Sequence, residues 1–171
     1  MTISSEDMQV YIANLGKYNE GELAGAWFSL PVDMDEVKEK IGLNAEYEEY
    51  AIHDYELPFR IDEYESIDRL NYLYGLIQEI EEEPIYDELE EILAHWFNDI
   101  ETLLEHKDDI IYYPDCESMA DVAEHYITET GVLDGMPENL RYYFDYASFG
   151  RDMEIEGSFL VTSHGVFEYA R

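Results

Sequence analysis

The chain has 171 residues, 42 of them Asp or Glu against 9 Lys or Arg, for a formal net charge of −33. Charge of that sign excludes a direct nucleic-acid binder, which needs a Lys/Arg surface to displace counterions from phosphates, and it disfavours docking on an anionic membrane. A hydrophobic fraction of 46% and an aromatic fraction of 15% exclude a solvated acidic tail.

Met8, Val10 and Ile12 alternate with Gln9, Tyr11 and Ala13, which predicts a first strand over 8–15. The polar run 16–21 reads as a turn, and 24–30 as a second strand apolar enough to be buried on both faces and ended by Pro31. Asp33 is placed to cap a short helix through Lys40, with Glu36 at the capping-box position and Gly42 just past its end. A third strand is expected over 47–56, stopped by Pro58.

From Ser66, a suitable N-cap, the period becomes helical: Ile67, Leu70, Leu73, Tyr74, Ile77 and Ile80 share one stripe. Pro84 opens a second helix through about Phe97 with Ile85, Leu89, Ile92, Leu93 and Trp96 inward. Asn98 or Asp99 caps a third, with Ile100, Leu103 and Leu104 inward. A short strand follows over 110–113, then a helix over 118–130 with Met119, Val122, Ala123, Tyr126 and Ile127 inward and Gly131 beyond its end. Pro137 starts a helix to about Ala147 carrying Leu140, Tyr143 and Phe144. Strands are expected at 154–156, 158–162 and 166–169, the last two joined across Ser163-His164-Gly165.

These elements predict an α+β protein, elongated, with three small modules in series: a ββαβ module over 1–61, an all-helical module over 62–103 and a mixed α/β module over 104–171 that is expected to dimerise. The apolar content of the last, such as Phe144, Phe149, Phe159 and Phe167, motivates that choice. Acid runs the whole length, with 13 acids and 4 bases in the first segment, 14 and 1 in the second, 15 and 4 in the third. Residues 1–7 lack the basic and apolar regions of a secretory signal. The uncharged stretch 24–32 is too short for a bilayer. The single Cys116 allows no intrachain disulfide, so a soluble cytoplasmic protein is expected.

Catalytic and metal patterns are weak. Asp33-Met34-Asp35 begins like a calcium loop but lacks the sixth-position Gly, so a helix cap explains it better. His53, His95, His106, His125 and His164 show no zinc spacing. Cys116 sits near a helix start, yet Asp115 and Glu117 flank it and disfavour a thiolate. No nucleophile elbow, P-loop or dinucleotide fingerprint is present. Pairs of carboxylates at hydrolase spacing are expected by chance among 42 acids and carry no information. No enzyme activity, cofactor or metal is expected.

The excess of charge is itself the signal. Solubility asks a small domain for a net charge of only about 2–8, whereas duplex DNA carries one charge per about 1.7 Å, so 33 charges match about 56 Å of duplex. The candidate partner-binding carboxylates are Glu79, Glu81, Glu82, Glu83, Asp87, Glu88, Glu90 and Glu91, then Asp108, Asp109, Asp115, Glu117, Asp121 and Glu124. Crowding at 79–91 is expected to raise carboxylate pKa values. An acidic chaperone or sink for basic proteins, or a low-affinity calcium binder, remain alternatives.

Val10-Tyr11-Ile12-Ala13-Asn14-Leu15-Gly16-Lys17-Tyr18-Asn19-Glu20-Gly21, followed by Gly25-Ala26-Trp27-Phe28 and Pro31, resembles the N-terminal signature of the ArdA antirestriction proteins. Tyr50-Ala51-Ile52-His53-Asp54-Tyr55-Glu56 resembles the family's next block, and Gly150-Arg151-Asp152 and Gly165-Val166-Phe167 its C-terminal end. The resemblance implies a non-catalytic, elongated dimer carried by conjugative elements, a mimic of bent B-form DNA made of three small domains. It would occupy the DNA-binding groove of type I restriction–modification enzymes, with the methyltransferase core as partner and the C-terminal domain making the homodimer.

Overall fold

The computed structural model describes residues 2–170, and the elements follow from local capping and burial. β1 (Gln9–Asn14) is the central strand of an antiparallel sheet ordered β2-β1-β3, with β2 at Gly25–Ser29 and β3 at Tyr50–Glu56. α1 (Leu15–Asn19) and α2 (Met34–Ile41) connect the strands. Asp33 caps α2 through the Asp35 amide, and Gly42 ends it at φ 75°, where a side chain would be strained. α2 packs on β1 and β2, burying Val10, Ile12, Phe28, Val37 and Ile41 on one face of the sheet.

α3 (Ile67–Ile80) starts at Ser66, whose hydroxyl accepts the Arg69 amide, and all six residues of its predicted stripe are buried. Helices α4 (Pro84–Asp87), α5 (Leu89–Trp96) and α6 (Ile100–His106) follow, the last capped by Asp99. A second antiparallel sheet is ordered β4-β6-β5, from β4 (Ile110–Tyr113), β5 (Phe159–Thr162) and β6 (Gly165–Tyr169). Thr162 pairs with Gly165, so a two-residue Ser163-His164 loop closes the hairpin. α7 (Met119–Thr130), α8 (Glu138–Arg141) and α9 (Tyr146–Glu156) complete the chain. Cys116, Met119, Val122, Phe159 and Val166 form a buried cluster with Tyr113 and Met153 against it.

The fold is α+β, with antiparallel sheets and a larger share of helix. The chain divides into two compact units, one ending at Glu90 and the other beginning at Glu91.

Several local expectations are corrected. Residues 15–19, read as strand end and turn, form α1 because the Asn14 side chain accepts the Lys17 amide and caps it. β2 is not buried on both faces: Phe28 is buried but Trp27 and Ser29 are exposed, since α2 covers one side. β3 begins at Tyr50 rather than 47, because the Asn44 carboxamide accepts the Glu46 and Tyr47 amides and holds that stretch as a turn. The helix expected from Pro84 to Phe97 breaks at Glu88, at φ −125° and ψ 30°. The helix expected through Ala147 stops at Arg141, and Asp145 caps a new one that carries 154–156 as helix rather than strand. Tyr126, expected inward, is exposed, while Leu93, Trp96 and Leu104, also expected inward, are half-buried; Leu140 and Tyr143 are exposed.

Candidate partner-binding surface

Apolar stripes turned inward leave the acids outside. Of the 42 acids all are exposed except Glu65, Glu81, Glu83, Glu88, Glu101, Asp121 and Glu168. Residues up to Glu90 carry 24 acids against 5 bases, and those from Glu91 carry 18 against 4, so each unit is strongly acidic by itself. Four of the bases are engaged locally. Lys40 pairs with Glu36 at 2.8 Å and Arg60 with Glu90 at 2.9 Å. Lys17, Lys40 and Arg69 lie over the rings of Tyr47, Phe28 and Tyr72.

The first predicted group surrounds the junction of α3, α4 and α5. Glu79, Glu82, Asp87, Glu90 and Glu91 are exposed, Glu83 is half-buried and Glu88 is buried at 9% exposure. Glu81 is a structural anchor. Its carboxylate accepts the Ser5 amide at 2.8 Å, the Ser5 hydroxyl at 2.7 Å and the Ser4 hydroxyl at 3.3 Å. Those donors, the Ser5 amide foremost, hold its pKa below the ordinary carboxylate value. Crowding was expected to raise carboxylate values in this run; at Glu81 the shift is downward, the serine donors outweighing desolvation. The same N-terminal strap is held by Tyr86, whose hydroxyl donates to the Ile3 carbonyl, and by Thr2, whose hydroxyl donates to Asp87 at 3.2 Å. Burial, reinforced by Glu81 and Asp87, pushes the Tyr86 phenol up to about 12.

The second group flanks β4 and α7. Asp108, Asp109, Asp115, Glu117 and Glu124 are exposed. Asp121 is half-buried and has a capping role: Ser118 accepts its amide, and its carboxylate accepts the Glu117 amide at 2.9 Å. Seven of the first eight residues, Glu79 to Glu90, fall in the first unit, while Glu91 and the last six fall in the second.

Cys116 is buried, and desolvation, then Asp121 and Asp115, pushes its thiol up. The sequence anticipated the sign and Asp115, but Glu117 is not among the causes; burial and Asp121, five residues along, were missed. Among the described residues no group of His, Cys, Asp or Glu stands together to hold a metal ion, and no helix is long and apolar enough to cross a membrane. An open hollow of about 500 Å³ is lined by Leu15, Glu48, Glu49, Tyr50 and Tyr64. Sequence periodicity also missed exposed aromatics, Tyr142 at 87% and Tyr143 at 81%, in the irregular stretch around α8.

The family model described as antirestriction protein (ArdA) matches residues 10–168, nearly the whole chain. The chain belongs to the ArdA antirestriction family. Among curated proteins none matches it significantly. Membership implies an antirestriction function and an interaction with restriction enzymes, the family being one of inhibitor proteins. The ArdA-like signature near the N-terminus is largely structural here. Asn14 is fully buried, and its amide donates to the Ile41 and Gly42 carbonyls at 3.0 and 3.2 Å. Gly21 adopts φ 88° after α1. Gly25 lies so close under the Tyr11 ring that a Cβ there would meet its hydroxyl at 2.6 Å.

Proposed function

We propose that this ArdA protein inhibits type I restriction–modification enzymes by occupying their DNA-binding groove, presenting carboxylates where the enzyme expects phosphates. One observation supports this above others: all but seven of 42 carboxylates are exposed, while several of the few bases are engaged locally by carboxylates or rings. A groove built to neutralise a row of phosphates gains from each contact and from the counterions released. A carboxylate surface of comparable density draws on the same groups and competes with DNA directly.

The exposed members of the candidate set, among them Glu79, Glu82, Asp87, Glu91, Asp115 and Glu124, are the partner-facing charges in this reading. Glu81 and Asp121 instead hold the backbone that displays them, and Glu88 is buried. The methyltransferase core is the partner, and the active species is an elongated homodimer made through residues 104–171, with modules at 1–61, 62–103 and 104–171. It acts in the cytoplasm of a cell that is receiving a conjugative element, uses no cofactor and catalyses no reaction.

The test is competition. Purified protein is titrated into a complex of a type I methyltransferase with fluorescent DNA carrying its site. Saturable displacement, weakening as salt rises, is the expected result. DNA that stays bound at a large excess of the protein overturns the proposal. Scattering that gave a globular monomer would remove the elongated dimer while leaving inhibition standing.

A further inference from the structure

One face of the N-terminal sheet is left open, and it is not simply acidic. β1 runs between β2 and β3 so that Trp27, Tyr11 and Asp54 lie in one row across the three strands, and Ser29, Gln9 and Glu56 in the row two residues along. Side chains two apart on a strand share a face, so these six form one surface. It is the face opposite to Val10 and Phe28, which are buried on the α2 side. Trp27 is 40% exposed, and Ser29, Asp54 and Glu56 are exposed.

The aromatic pair is built deliberately. The Tyr11 and Trp27 rings meet edge to face, with centroids 5.6 Å apart. Tyr11 can lie across β2 only because residue 25 is glycine, since any Cβ there would meet the ring's hydroxyl, Cζ and Cε1 within 3 Å. On the β3 side Gln9 donates to Glu56 at 2.6 Å, which holds that carboxylate on the same face, in the row next to Tyr11. The chain's own cations are placed over Tyr47, Phe28 and Tyr72. Among the described residues none is recorded over Trp27, the ring type that attracts cations best.

We propose that Tyr11, Trp27, Asp54 and Glu56 form a receptor for an arginine side chain of the enzyme partner, the guanidinium stacking on Trp27 while the carboxylates of β3 accept its N–H groups. This rests on the reading above, that the partner presents a cationic DNA-binding groove. A guanidinium is weakly hydrated, planar and rich in donors, so it suits an aromatic face bordered by carboxylates better than an ammonium does. The receptor adds to the spread of carboxylates a contact that salt screens less, because ring stacking and desolvation contribute alongside charge. It also gives a role to the exposed tryptophan of the Gly25-Ala26-Trp27 block.

The experiment is the DNA-displacement assay on a type I methyltransferase at low and at high salt, with Trp27→Phe, Trp27→Leu and, as control, Leu23→Ala. Leu23 is 85% exposed and lies outside the two rows. Far-UV dichroism and melting curves check that each variant is folded. Trp27→Leu keeps apolar bulk but loses the ring, and should weaken inhibition about tenfold, the scale of a partly desolvated cation–π contact. Trp27→Phe should fall between Leu and wild type, Leu23→Ala should match wild type, and the Trp27→Leu defect should persist at high salt. Displacement by wild type with Trp27→Leu equally potent overturns the receptor and leaves groove occupancy intact. So does a Trp27→Leu defect matched by Leu23→Ala. Failure of wild type to displace DNA overturns both.

Discussion

The N-terminal strap gives a sharp test of how structure and charge compete in this molecule. Glu81→Ala removes one negative charge from a crowded stretch, which taken alone relieves repulsion worth a few tenths of a kcal/mol, as for like charges one helical turn apart. It also removes three hydrogen bonds to Ser4 and Ser5, two of them at 2.7 and 2.8 Å, and strands the amide of the buried Ser5. An unsatisfied buried donor costs about 1–3 kcal/mol, and half-exposure of Glu81 argues for the middle of that range. Loss therefore outweighs relief, and Glu81→Ala should destabilise by about 2 kcal/mol, a fall in Tm of about 4–8 °C for a chain of this length. Glu82→Ala, next door and exposed, should melt with wild type or slightly above it.

The pH dependence has a definite sign. The folded pKa of Glu81 lies below its ordinary value of 4.5, so the unfolded chain binds the proton more readily. The stabilisation is present in full above about pH 5 and is lost as pH falls through the folded value. The gap between melts of wild type and Glu81→Ala should therefore narrow as pH is lowered from neutral into the acid range. An Glu81→Ala protein that melts at or above wild type at neutral pH would refute the reasoning, as would a gap that stays constant into acid.

Other substitutions probe the scaffold. Asn14→Ala leaves the buried carbonyl of Ile41 and the half-buried carbonyl of Gly42 without their donor and α1 without its cap, and should lower stability by about 2–3 kcal/mol, read from the urea midpoint. Gly150→Ala puts a methyl against the Met119 backbone where α9 packs on α7, and should cost about 1–3 kcal/mol in thermal melts, since backbone yields less easily than a side-chain tip. Cys116 should react with a thiol reagent only slowly at neutral pH, at a rate that jumps on denaturation, because burial and Asp121 and Asp115 oppose its thiolate.

Periodicity and caps carried most of the fold. The α3 stripe was legible because six inward residues recur at helical spacing behind a serine cap, and α2 because Asp33 and Gly42 bracket it. The reading failed where side chains override local pattern. Asn14 turns a strand end into a helix cap, Asn44 delays β3, and Asp145 restarts a helix over residues whose alternation resembles a strand. The candidate carboxylates were legible as a density and not as individuals. Sequence runs cannot distinguish Glu82, which is exposed, from Glu81, which is tied to serines 76 and 77 residues away, or from Glu88, which is buried. The Tyr11–Trp27 face escaped notice because a strand of aromatic and small residues reads as core until the sheet shows that one side lacks a cover.

The central claim is that inhibition is spread over many exposed carboxylates, and competition by single and clustered amide variants tests it most directly. Glu79→Gln, Glu82→Gln, Asp87→Asn and Glu91→Gln alter exposed groups and leave the Glu81 anchor alone. Each alone should cost on the order of 1 kcal/mol or less, as for exposed charge pairs. The four together should weaken displacement of DNA from a type I methyltransferase measurably and flatten its dependence on salt, since fewer counterions are released. A single one of these changes that abolished inhibition, with the other three silent, would contradict distributed occupancy of the groove and place the binding energy in one specific contact.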